Sequence, residues 1–172
     1  LTGLPSDTLV AVEGRISEQN PLLFEGMVAY TEHKYQGVHC DDDDGDCEEV
    51  WAETERATPV LWLDLPDGRV RVGNTDYELF NPPEVWQTTP TLIEYNTLEY
   101  RGFRMGNPVY VIGEVNPTDG VSLNAQFVYG GSRQDYLLAQ SQEVMIFLWM
   151  GGIFAGLGLI FLAVAIVIAV RM

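Results

Sequence analysis

The run from Val144 to Val170, VMIFLWMGGIFAGLGLIFLAVAIVIAV, contains no charged residue, no Pro, no Asn and no Gln. As an α-helix rising about 1.5 Å per residue it would reach about 40 Å, against a bilayer hydrocarbon core of about 30 Å. A helix of that length, apolar on every side, has no use in the core of a small soluble domain. Its position after the polar part of the chain sets it apart from a removable signal peptide. The run predicts a membrane anchor over 144–170, and every other element has to fold beside it.

All 25 Asp and Glu precede the anchor, as do all the basic residues except Arg171, and the chain carries a formal charge of −16. Such a surface repels phosphate backbones and anionic headgroups, which excludes nucleic acid as a partner. Lys34 is the only lysine. A very acidic, lysine-poor surface suits concentrated salt, where screening removes self-repulsion. That pattern fits a halophilic source, or equally an ordinary acidic extracytoplasmic domain. Arg171, just after the span, favours a cytoplasmic C-terminus with the preceding domain outside. The first residue is Leu1, which is compatible with a further segment upstream, a second anchor included.

Before the anchor, short runs rich in β-branched and aromatic residues alternate with Gly, Pro, Asn and Asp clusters, the pattern of a β domain. DTLVAVEGRIS, GMVAYTEHKY, VWAETERAT and PVLWLDL read as strands. PDG turns the last of these into RVRVG as a hairpin, and NPTDG joins NPVYVIGEV to VSLNAQFVYG. TLIEYNTLEYRGF fits neither period. Six or seven such strands without intervening helices predict a mainly β fold over 1–131: a small antiparallel barrel or sandwich, OB-like, with one elaborated hairpin.

At GGSRQDYLLAQ the period changes, and Ser132 with Asp135 three residues on resembles a capping box. A helix from about Arg133 is expected to continue without a break into the anchor, for roughly 57 Å in all. Residues 132–143 would form a stiff stalk and hold the β domain close to the bilayer. Within the anchor Gly152 and Gly156 form GxxxG, flanked by Gly151 with Ala155 and by Ala165 with Ala169. Small residues four apart allow close helix packing, either with a second copy or with a partner helix. With no ionisable side chain in the span, an ion path through this helix alone is not expected.

The order VEGRISEQNPLLFEGMVAYTEHKY, Trp51, TPVLWLDLPDGRVRVGNTDYELF, EYRGFRMGNPVYVIGEV, a closing strand, YLL and a membrane helix resembles the GIDE domain, also called the beside-a-membrane (BAM) domain. The resemblance runs from about Val10 to the anchor. It implies a domain lying between two membrane helices, facing away from the cytosol and binding partner proteins. In the eukaryotic membrane-anchored ubiquitin ligases of that family a RING finger follows. This chain has no zinc-spaced Cys/His series, its only cysteines being Cys40 and Cys47, so the resemblance is to the prokaryotic type and implies no ubiquitin transfer.

CDDDDGDC, from Cys40 to Cys47, falls in a hairpin, where an insertion is tolerated. Outside the cytosol Cys40 and Cys47 are expected to form a disulfide, closing a short ring at a chain-entropy gain of roughly 2–3 kcal/mol. Asp41, Asp42, Asp43, Asp44, Asp46, Glu48 and Glu49 supply the hard oxygens that calcium prefers. The spacing is not that of an EF-hand, so a solvated, salt-tolerant loop, a divalent-cation site and a contact to a basic partner all remain open. His33 and His39 have no orienting residue or oxyanion hole beside them in sequence, and no catalytic residue is assigned. Trp86, read as sitting in a Pro-rich loop, NPPEVWQTTP, is the aromatic expected at a protein interface or in the headgroup region. The expected function is non-enzymatic: a membrane protein whose β domain binds or scaffolds other membrane proteins, or self-assembles as a homo-oligomer through its helix, without a cofactor. The alternative is an envelope module responding to calcium through the acidic loop, or an enzyme with an unread site.

Overall fold

The computed structural model describes residues 4–40, 46–89, 91 and 93–141. Alternating Val, Leu and aromatic positions build ten strands: β1 (Leu9–Ile16), β2 (Met27–Cys40), β3 (Cys47–Ala57), β4 (Leu61–Leu65), β5 (Gly68–Val72), β6 (Glu78–Phe80), β7 (Glu84–Gln87), β8 (Leu98–Arg104), β9 (Pro108–Val115) and β10 (Leu123–Gly130). The fold is mainly β, as the residue pattern predicts, and contains a closed five-stranded barrel.

The barrel runs β5-β4-β1-β9-β10 and closes where β10 meets β5 in parallel at Leu123↔Val72. Both turn signals read from sequence deliver their hairpins, β4–β5 around Pro66–Asp67 and β9–β10 after Asn116. The register of β10 on β9 shifts between Ala125 and Phe127. Beyond this bulge β10 leaves β5 and pairs with β6, again in parallel, through Phe127, Val128 and Tyr129. Asn74 fills the gap: its Nδ2 donates to the Ala125 carbonyl at 2.7 Å and its Oδ1 accepts from the Ala125 amide at 2.8 Å. Both backbone groups of Ala125, the last paired residue before the bulge, thereby have a partner in Asn74.

The second sheet has the order β3-β2-β8-β7. Its strands come from two separate connections of the barrel, β2–β3 between β1 and β4, and β7–β8 between β6 and β9. Val28, Ala29 and Phe103 of this sheet join Val12, Ile16, Leu61, Leu63, Val109, Val111, Leu123 and Val128 of the barrel in one buried core. Gly102 lies where the sheet enters that core. A Cβ there would press on the Ala29 carbonyl oxygen and the Met27 sulfur, so the close approach requires glycine. Asn20 secures the exit from β1. Its Nδ2 donates to the carbonyls of Ser17 and Trp62, and its Oδ1 accepts from the Trp62 amide, each at 2.8 Å.

The ten strands exceed the six or seven expected. β6 and β7 are too short to show a period, and β8 begins only at Leu98, after the loop that obscured its pattern.

The chain divides into two units, Leu1–Arg133 and Gln134–Met172. In the second, a helix is described through residue 141, where Ser141 Oγ donates to the Leu138 carbonyl at 2.8 Å. Helix begins at Arg133, directly after Ser132. Among the described residues no helix is long and apolar enough to cross a membrane. The anchor expected over 144–170, with Gly151, Gly152, Ala155, Gly156, Ala165 and Ala169, lies outside the described residues, as does the end of the stalk.

Candidate functional site

The two faces of the second sheet differ in chemistry because alternation along β2 and β8 sorts their side chains. On one face Tyr30 and Glu32 of β2 lie beside Tyr100 of β8 and Trp86 of β7. Phe24 reaches the same face from the loop before β2. Its ring stacks on Tyr100 with centroids 4.0 Å apart, meets Trp86 edge-on at 5.2 Å and lies 5.8 Å from Tyr30. Tyr30 and Trp86 each make an edge contact of 5.6 Å with Tyr100. Tyr100 is buried, while Phe24, Tyr30 and Trp86 are half-buried and keep part of each ring in solvent.

Phe24 is placed by a tight turn. Glu25 and Gly26 both have positive φ, 45° and 81°, and the Met27 amide donates back to the Phe24 carbonyl at 2.7 Å. This is the geometry of a primed turn, which ordinarily has Asn or Gly at its first central position. Arg104 Nη2 donates to the Glu25 carbonyl at 3.1 Å and holds the turn against the end of β8.

Two carboxylates border the rings. Tyr100 Oη donates to Glu32 Oε2 at 2.5 Å, Thr54 Oγ1 donates to Glu32 Oε1 at 2.6 Å, and Tyr30 Oη donates to Glu55 Oε1 at 3.2 Å. The hydroxyls of Thr54 and Tyr100 hold the Glu32 carboxyl below the usual range, so it is ionised at neutral pH. Burial, with Glu32 next in order, pushes the Tyr100 phenol up to about 12, which keeps it a donor.

The opposite face carries an ionic network. Glu99, 5% exposed, accepts from Gln87 Nε2 and Arg101 Nε. His33 Nε2 lies 3.0 Å from Thr31 Oγ1, and Arg56 forms a bidentate pair with Glu53 at 2.9 and 3.1 Å. Burial, then the charge of Arg101, holds the His33 imidazole below its ordinary value. His33 therefore sits neutral in a structural network.

Of the residues singled out from sequence, Cys40 and Cys47 are joined in a disulfide and are directly opposite each other in the β2–β3 register. Asp41, Asp42, Asp43 and Asp44 lie outside the described residues, whereas Asp46 and Glu48 are exposed beside the bridge. Among the described residues no group of three or more His, Cys, Asp and Glu could hold a metal. Trp86 is not in a loop but in β7, because Pro82 and Pro83 end just before the strand begins. Phe24, Tyr30 and Tyr100 escaped the sequence reading as a group, since it is the pairing of β2 with β8 that sets Tyr100 opposite Glu32, 68 residues away. Among the described residues two open depressions lie on the barrel, one of about 380 Å³ lined by Asn74, Asp76, Glu114 and Asn124 and one of about 410 Å³ lined by Glu13, Arg15, Asp64 and Pro108. In the first, Asn74 is already committed to the β10 bulge.

No family model, curated protein or solved structure matches the chain.

Proposed function

We propose that this chain is a non-enzymatic membrane protein whose β domain lies outside the cytoplasm, near the bilayer, and binds or scaffolds other membrane proteins. The observation that carries the reading is the partly exposed ring face of Phe24, Tyr30 and Trp86 around Tyr100, on a sheet that the barrel does not need for its own closure. Aromatic side chains of this kind supply large contact area at low entropic cost and are enriched at protein interfaces. The apolar run 144–170 supports membrane attachment, and its GxxxG step supports assembly through the helix. The barrel reads as OB-like: β1 lies between β4 and β9, and β5 closes on β10 in parallel. In that architecture the long connections carry the binding surface. The short helix that opens at Arg133 supports a stalk leading toward the apolar run.

The test is co-purification of the full chain from its own membranes in mild detergent, with the mass of the particle measured by light scattering. A stoichiometric partner or a homo-oligomer is expected. Trp86→Ala should release a partner held by the head, and Gly152→Leu with Gly156→Leu an assembly held by the helix. A monomer with no companion, under several detergents, would sink the reading.

A further inference from the structure

Glu32 and Glu55 are direct cross-strand partners in the β2–β3 register. Two like charges opposite each other destabilise a sheet. A bulge lies at the same place: the register shifts between Glu32 and His33, and the extra residue, Thr54, turns its hydroxyl to Glu32. Among the described residues neither carboxylate forms an ion pair, although Glu53, Asp64, Glu84, Glu99 and Asp119 each have an arginine. Instead, the hydroxyls of Tyr30, Thr54 and Tyr100 fix the two carboxylates in place. The rings of Tyr30, Tyr100, Phe24 and Trp86 continue the same surface toward β7.

We propose that this juxtaposition is a cation-recognition surface, and that its occupant is an arginine-bearing extended segment of a partner protein. The proposal rests on the partner-binding reading and gives it a chemistry. A guanidinium is planar, stacks on aromatic faces and donates in a fork to carboxylates, so rings and paired acids together fit it better than a compact ammonium. Four strands at about 4.8 Å spacing give a face roughly 14 Å across. An arginine laid over Tyr30 can therefore reach Glu32 and Glu55, while Trp86, beyond Tyr100 on the far edge strand, borders the segment that carries it.

The acidic chain attracts any cation, so the experiment has to separate a site from a field. The full chain in nanodiscs, labelled with ¹⁵N at the tryptophan indoles, is titrated with acetyl-Gly-Arg-Gly amide and with its uncharged citrulline twin. The Trp86 indole signal should shift saturably with the arginine peptide and not with citrulline. Trp51, whose Nε1 donates to Glu49 at 3.0 Å on the acidic arm, should move little. Glu55→Gln should weaken binding about tenfold while leaving the unfolding midpoint unchanged or raised, whereas Glu48→Gln should change binding by less than about twofold. A Trp51 shift as large as that of Trp86, an equal response to citrulline, or full binding by Glu55→Gln would overturn the proposal. The arginine–citrulline comparison needs no substitution, so a variant that folds poorly does not blunt the test. If the membrane assembly forms but Trp86 ignores arginine, only this proposal falls; if no assembly forms at all, the partner-binding reading falls.

Discussion

Arg71 of β5 reaches across the barrel seam to Asp119 in the β9–β10 connection, Nη2 to Oδ2 at 3.1 Å. The seam is thin, with Leu123↔Val72 as its one strand pair and the Gly73 amide donating to the Leu123 carbonyl at 2.8 Å. Asp119 does more than meet Arg71. It accepts from Ser122 Oγ at 2.6 Å, from the Ser122 amide at 2.9 Å and from the Val121 amide at 3.0 Å. Those bonds, the Ser122 hydroxyl foremost and Arg71 last, hold its carboxyl well below the usual range. Asp119→Ala should therefore lower the urea midpoint more than Arg71→Ala, because it frees a turn as well as a surface ion pair. Equal losses from the two variants would show that the latch, not the turn, closes the seam.

The turn under Phe24 is strained at Glu25, where a β-carbon sits at φ 45°. Asn tolerates that region and is favoured in primed turns. Glu25→Asn should stabilise the domain by about 0.5–1 kcal/mol, read from chemical denaturation. Gly26→Ala, at φ 81°, should do the opposite.

How much of this was legible in the sequence depended on whether the deciding signal was local. Pro66–Asp67–Gly68 and Pro117–Thr118–Asp119–Gly120 carry their turn chemistry within four residues, and both hairpins were readable. The turn at Glu25–Gly26 was not, because Glu stands where a primed turn ordinarily has Asn or Gly. β6 and the barrel seam rest on parallel pairings between segments far apart, which no short window can show. The disulfide followed from two cysteines flanking a hairpin tip. The ring face did not: Tyr30 and Tyr100 look like ordinary strand residues until β2 pairs with β8. Trp86 was picked out for its flanking prolines, yet what matters is its place opposite Tyr100 on an edge strand, where proline just outside is permitted.

His33 gives the domain a dependence on pH. Unfolded, the imidazole takes up its proton near 6.5; folded, burial and Arg101 delay that uptake, with Arg56 in the same sense and Glu53 and Glu99 opposing. Between the two values the unfolded chain binds more protons, so stability is full above the window and declines as pH drops through it. His33→Gln removes this titration. The difference in urea midpoint between wild type and His33→Gln should change between about pH 7.5 and about pH 5.5, with wild type losing ground in acid. A constant difference would place His33 outside the linkage.

The β2–β3 arm extends past its last pairing with β8, Lys34↔Leu98, and its tip is closed by Cys40–Cys47. Reduction of the bridge should free a short loop worth roughly 2–3 kcal/mol on chain-entropy grounds. Amide exchange should quicken at 36–40 and 46–50, while Val109 and Val111 in the barrel core stay protected. Matching acceleration in β9 would mean that the tip and the barrel melt together.

The second sheet is assembled wholly from excursions that leave the barrel wall and return to it. Insertions or trims beyond Lys34 and before Ala52 would leave every barrel strand at its present length. The barrel is thus a chassis whose outlying sheet can be resized by changing loops alone, with every strand of the wall left as it is.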